Sequence, residues 1–124
     1  MSFLVVEGKV KNGRKISRLM GFPTVNIAVP RFIKSSDWGI YVSLVSFDGK
    51  VFPGVTHLGP PKTFSIRAST CETFLLSFSG DLYHKKITKR LLFKIRDIER
   101  FPNIRSLKKE IKKDIIKAKK YLGL

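Results

Sequence analysis

A chain of 124 residues has room for one domain and one substantial core, and 43% hydrophobic residues with a mean hydropathy of −0.04 exclude a disordered chain. No apolar run approaches the ~20 residues of a membrane helix, and Phe3 to Val6 is too short an apolar block for a secretory signal. The 25 basic residues against 9 acidic ones give +16, a field that attracts polyanions without saying which.

In chain order, Leu4 to Lys11 reads as a first strand, ended by an Asn12-Gly13 turn. A basic loop, Arg14 to Met20, leads into a short strand over Val25 to Val29, and Pro30 to Trp38 is a connection. Gly39 to Phe47 alternates strongly, and Asp48-Gly49 turns it back into Lys50 to Leu58 as a two-residue hairpin. Pro53 lacks a backbone donor and so implies an edge position or a bulge there. Gly59 to Ser69 is expected as a long loop, followed by a strand from Cys71 to Phe78, a turn at Ser79-Gly80-Asp81 and a strand from Ile87 to Asp97. Six antiparallel strands at this spacing predict a mainly β fold curled into a small barrel, because closure removes exposed edges.

The period changes at the C-terminus. Leu107, Ile111, Ile115, Ala118 and Leu122 step by 4, 4, 3 and 4, one face of a helix with lysines opposite. Ser106 or Asn103 is expected to cap its start and Gly123 to end it. No internal repeat or second domain is visible, so residues 1–124 are expected to form a single domain.

Two places carry chemistry. In Gly21-Phe22-Pro23-Thr24-Val25-Asn26, glycine frees the backbone, proline stiffens the entry, and Thr24 and Asn26 project from one face of an extended segment. A hydroxyl and an amide so placed suit a metal ion and polyphosphate oxygens; a turn with local backbone bonds is the plainer alternative. Glu72 lies in an apolar strand, in phase with Phe74 and Leu76. It is either turned to solvent or held in a site as a general base. Gly8 and Gly13 have Walker A separation, but Arg14-Lys15 follow and no helix does, so that motif is rejected. Cys71, His57 and His84 are too few and scattered for a zinc site, and one cysteine excludes an internal disulfide. That cysteine usage agrees with a reducing cytoplasm, the expected location.

Taken in order, these pieces resemble the riboflavin kinases, the ATP-dependent flavokinases found alone or as the C-terminal half of bifunctional FAD synthetases. The resemblance begins at Gly8-Lys9-Val10 and takes in Ser17-Arg18-Leu19-Met20, the stretch from Gly21 to Asn26 and Gly39-Ile40-Tyr41. It continues through Gly54-Val55, Leu58-Gly59, Thr63-Phe64, Glu72, Asp81-Leu82-Tyr83, Arg96, Glu99-Arg100-Phe101 and the terminal helix. It implies a six-stranded antiparallel Greek-key barrel with a C-terminal α-helix. It also implies Mg²⁺ and the nucleotide phosphates on Thr24 and Asn26, and Glu72 as the base that takes the proton of the ribityl 5′-hydroxyl. Gly13 to Met20, with Ser17 and Arg18, matches a flap over the nucleotide next to Gly21, Phe22 and Pro23. Arg96, with Asp97 to Phe101, matches a second flap near the flavin.

The substrates implied are ATP and riboflavin and the products ADP and FMN. FAD synthesis, membrane association and an oligomer are not expected. Several positions depart from the family pattern: Ser17 for Gly, His57 for Asn, Lys62 for Pro, Phe74 for His, Ser77 for Asp and His84 for Gly. Two other classes fit the composition: a basic nucleic-acid-binding barrel, and a flavin-binding relative without catalysis. Against the first, aromatics do not alternate with basic residues along one strand face as a stacking platform requires.

Overall fold

The computed structural model describes residues 4–11, 21–60, 69–78, 80 and 82–124. Six strands precede one helix: β1 (Leu4–Lys9), β2 (Thr24–Ile27), β3 (Gly39–Phe47), β4 (Lys50–Gly59), β5 (Thr70–Leu75), β6 (Lys86–Arg96) and α1 (Ile104–Leu122). All pairings are antiparallel, and the sheet order is β1-β6-β3-β4-β5-β2. β3, β4 and β5 form a meander, and β2 lies beside β5 although its chain continues to β3, which is a Greek key. The two ends of the sheet meet where Lys11, just past β1, bridges Asn26 of β2 and donates to its carbonyl at 2.8 Å. The sheet thus curls into the expected barrel, with that bridge at its seam.

The Asp48-Gly49 hairpin forms as expected. Both residues have positive φ, 49° and 73°, the pair of left-handed residues that a type I′ turn requires. Pro53 lies in a central strand without a bulge, opposite Leu44 of β3, so the expected edge strand or bulge is not what accommodates it. β4 outruns β5 at this end, so Pro53 stands just past the last β5 partner, and its carbonyl accepts from the Leu76 amide at 3.0 Å. Several boundaries moved: β1 ends at Lys9, not Lys11, β2 ends at Ile27, not Val29, and β4 at its end, β5 at its start and β6 at both ends differ by one residue. β2 begins at Thr24, not Val25, because pairing with β5 already includes Thr24 opposite Phe74. β5 stops at Leu75, so the expected stretch to Phe78 is not strand. The expected turn at Asn12-Gly13 and most of the loop to Ser69 lie outside the described residues.

Both sides of the sheet are covered. The inner core fills the barrel with Val6, Val25, Ile27, Tyr41, Val45, Leu58, Cys71, Leu75, Ile87 and Leu91. The outer core lies under α1, where Ile40, Val42, Val55, Phe74 and Phe101 meet Leu107, Ile111, Ile115 and Ala118. Burying each Leu or Ile of that stripe contributes about 1.5–3 kcal/mol relative to exposure. Asn103 caps α1 by accepting from the Ser106 amide at 2.9 Å, and Ser106 itself is not the cap. Gly123, at φ 74°, closes the C-terminus, and its amide donates to the Lys119 and Lys120 carbonyls. Among the described residues no helix is long and apolar enough to cross a membrane.

Candidate active site

The site is built on the pairing of β2 with β5. Gly21 sits at φ 74°, a left-handed turn that favours glycine, and delivers Phe22 and Pro23 into the strand. The Pro23 carbonyl accepts from the Leu75 amide at 2.9 Å. In an antiparallel ladder this bond sets the alternation. Val25 opposite Thr73 and Ile27 opposite Cys71 are hydrogen-bonded pairs; Thr24 opposite Phe74 and Asn26 opposite Glu72 are the others. In the second kind the Cα atoms stand about 4.5 Å apart and side chains come closest. Asn26 and Glu72, 46 positions apart in the chain, are therefore next neighbours on one face.

That face is the outer one, since Val25, Ile27, Cys71 and Leu75 fill the barrel. Glu72 is 5% exposed and Asn26 8%, so both stand in a largely desolvated corner. Asn26 Oδ1 is buried and has no hydrogen-bond partner among the described residues. An orphaned buried carbonyl oxygen costs about 1–3 kcal/mol unless something binds it. It is also the hard donor that Mg²⁺ takes. With Thr24 two residues away on the same face, the pair fits an ion that keeps most of its ligands as phosphate and water. Among the described residues no group of three or more His, Cys, Asp and Glu offers a conventional protein metal cage.

On the other flank of Glu72, β4 places His57 opposite it. His57 is buried, with Nε2 2.7 Å from the Pro60 carbonyl. A carbonyl only accepts, so Nε2 carries a proton and donates it to Pro60. Continuing across the sheet, His57 faces Ile40 and Ile40 faces Arg96.

Arg96 is committed to the helix. Its Nε and Nη2 donate to Asp114 Oδ1 at 2.9 Å and Oδ2 at 2.8 Å, Nη1 donates to the Asp97 carbonyl at 3.2 Å, and the guanidinium lies 5.7 Å from the Phe101 ring centre. Burial pushes the Asp114 carboxyl above the ordinary aspartate range, although the Arg96 hydrogen bonds and charge pull it down. Phe101 is buried in the outer core. The gap between His57, Phe74, Arg96 and α1 holds about 10 Å³, room for one water at most. A three-ring flavin does not enter it in this arrangement. Gly13, Ser17 and Arg18, the expected nucleotide flap, lie outside the described residues.

Other polar groups escaped the sequence reading. Inside the barrel, Ser43 Oγ lies 2.7 Å from Thr56 Oγ1, which lies 2.6 Å from Thr73 Oγ1. Lys89 is fully buried there too. The signal for Lys89 was available: it stands in phase between Ile87 and Leu91, as Glu72 stands in phase with Phe74.

The fold is that of a small antiparallel β-barrel with one docked helix and an amide–carboxylate pair in a buried corner between two strands. The chain belongs to the riboflavin kinase family, whose flavokinase family model matches residues 2–122. It is 38% identical over 112 residues to the RNA-binding riboflavin kinase RibR of Bacillus subtilis, covering 90% of this chain and 48% of that protein. It is similarly 33% identical over 115 residues to the bifunctional riboflavin kinase/FMN adenylyltransferase of Pseudomonas fluorescens, covering 92% of this chain and 37% of that one. The chain therefore spans about half or less of the length of these relatives. Among solved structures, riboflavin kinase from Trypanosoma brucei superposes with a TM-score of 0.63 at 23% identity, over 96% of this chain and 79% of that one. That likeness speaks to the fold.

Proposed function

We propose that this chain is the catalytic domain of a riboflavin kinase, transferring the γ-phosphoryl group of ATP to the 5′-hydroxyl of riboflavin. The observation that carries this reading is the close pairing of Asn26 with Glu72 on one buried face. The hydroxyl oxygen forms a bond to the γ-phosphorus, the bond from that phosphorus to the β–γ bridging oxygen breaks, and ADP departs with the electron pair. The hydroxyl proton passes to Glu72.

Thr24 and Asn26 would hold Mg²⁺ against the nucleotide phosphates, beside the carboxylate that receives the proton. Bound Mg²⁺ supplies charge neutralisation at the β- and γ-phosphate oxygens. The protein's share is alignment: two strands with fixed register hold the phosphate-facing and proton-accepting groups at one spacing. Burial of the corner strengthens each electrostatic contact made there. Gly13, Ser17 and Arg18, which lie between β1 and β2 in the sequence, would contact the nucleotide, and Gly21, Phe22 and Pro23 set the entry to the phosphate-facing strand. Arg96 contributes by seating α1, with Phe101, at the flavin end. The same reading makes residues 1–124 one monomeric domain working in the cytoplasm.

Riboflavin with Mg·ATP is expected to yield FMN and ADP. Glu72→Gln should lower that rate by ~10²- to 10⁴-fold while riboflavin still binds. Riboflavin binding without FMN formation in the unmodified protein would instead make it a non-catalytic flavin-binding relative. One observation favours a nucleic-acid-binding reading: Phe93 and Tyr121 stack with ring centres 5.1 Å apart beside Lys117 and Lys120 in an exposed groove. That groove needs neither Asn26 nor Glu72, so FMN formation that depends on both separates the two classes.

A further inference from the structure

Among the described residues, Lys89 is the one lysine or arginine that is completely buried. β6 alternates Ile87, Lys89 and Leu91 inwards, and its sheet neighbours are β1 and β3. The Lys89 side chain nevertheless reaches the opposite wall. Its Nζ donates to the Val25 carbonyl of β2 at 2.8 Å and to the Cys71 carbonyl of β5 at 2.9 Å. Val25 stands between Thr24 and Asn26, and Cys71 immediately precedes Glu72. One ammonium thus grips, from inside the barrel, the two strands whose outer faces carry the candidate site.

The placement is costly and specific. An ammonium is among the most unfavourable groups to bury, and a Leu or Met would fill the same inward position without that cost. β2 has most need of a fastening. It is four residues long, pairs with β5 on one side, and on the other, among the described residues, meets β1's chain through one Lys11–Asn26 bridge. The spacing between its outer side chains and Glu72 depends on how firmly it is held.

We propose that Lys89 is a positioning residue, a clamp that fixes Thr24 and Asn26 opposite Glu72 by binding the carbonyls of Val25 and Cys71. Its catalytic consequence rests on the riboflavin kinase reading; the clamp itself does not. Lys89→Met keeps the aliphatic stem and removes the donors. Val45→Ala, at the inward position facing Lys89 on β3, is the comparison for a loss of core packing.

Amide hydrogen exchange in Lys89→Met is expected to rise over residues 24–27 more than over β3 or α1. Mg·ADP affinity should fall about tenfold or more, the scale seen when groups supporting metal ligands are removed. kcat should fall with it while the KM for riboflavin stays within about threefold. Val45→Ala, at equal or greater loss of thermal stability, should leave Mg·ADP affinity and kcat near those of the unmodified protein. Unchanged exchange over residues 24–27, unchanged Mg·ADP affinity, or the same losses in Val45→Ala would overturn the proposal.

If Lys89→Met does not fold, Lys89→Arg decides. Its larger planar head cannot keep both bonds without shifting β2. Unaltered exchange and nucleotide affinity in that variant would sink the clamp, and selective loosening of β2 would support it. Should the unmodified protein make no FMN, the kinase reading fails while the exchange comparison still judges Lys89.

Discussion

Two polar regions of the outer face treat their buried groups in opposite ways. At the seam between β6 and α1, charge meets charge: both nitrogens of the Arg96 fork reach Asp114, and the guanidinium stacks near Phe101. At the corner between β2 and β5, Asn26 Oδ1 is buried without a hydrogen-bond partner among the described residues, beside a buried carboxylate. The first arrangement is complete within the protein and holds a helix in place. The second leaves a buried oxygen that can accept a hydrogen bond or ligate a cation. Natural proteins break the rule of satisfied buried groups mostly where function requires it, and that contrast separates the fastening from the site.

The comparison can be broken at either end. At the corner the largest effect is the loss of FMN formation in Glu72→Gln, described above. At the seam, Asp114→Ala should destabilise the fold by about 3–5 kcal/mol in denaturant unfolding, because Arg96 is left with its charge buried. Replacing both partners, Arg96→Met with Asp114→Leu, should recover most of that loss. A recovery that fails would mean the pair does more than fasten α1.

A smaller and opposite effect is expected at the corner. Asn26→Leu removes an unsatisfied buried oxygen, so thermal stability should hold or rise by about 1 kcal/mol. Mg·ADP affinity measured by calorimetry should meanwhile drop ~10-fold or more. Stability and binding moving together would erase the distinction between the two regions.

The smallest effect lies at Tyr41, whose hydroxyl donates to the Asp37 carbonyl at 2.5 Å. Burial first, then the charges of Asp37 and Asp97, raise its pKa above the usual 10.0. The folded state therefore favours the protonated phenol. Its stabilising contribution is complete below pH 10 and is lost as pH rises through the higher folded value. Absorbance titration of phenolate should show one late-titrating tyrosine that disappears in Tyr41→Phe.

Much of the frame was legible in the chain. Asp48-Gly49 names its own turn, because few other pairs tolerate two left-handed residues in succession. The helical stripe from Leu107 to Leu122 and its glycine end follow from local periodicity and local backbone freedom. The polar pair of Thr24 and Asn26 was visible because an extended segment puts alternate residues on one face. Glu72 stood out for the same reason.

Other features were illegible for want of neighbours. Alternation shows that Glu72 and Phe74 share a side but not whether that side meets water or a helix; it meets the outer core under α1. Nothing local to Asn26 points to residue 72, and only the β2–β5 register makes them adjacent. Lys89 interrupts an apolar face in the sequence, yet its partners are carbonyls 64 and 18 positions away.

By itself, then, the sequence determined turns, strand parity, the helix and the inventory of groups able to do phosphate chemistry. Which face is sealed, which strands are neighbours and which buried group stays unanswered were decided by the tertiary structure. The physical reason is range. Backbone preference and side-chain period act over a few residues, whereas burial and cross-strand pairing depend on segments brought together only when the sheet closes.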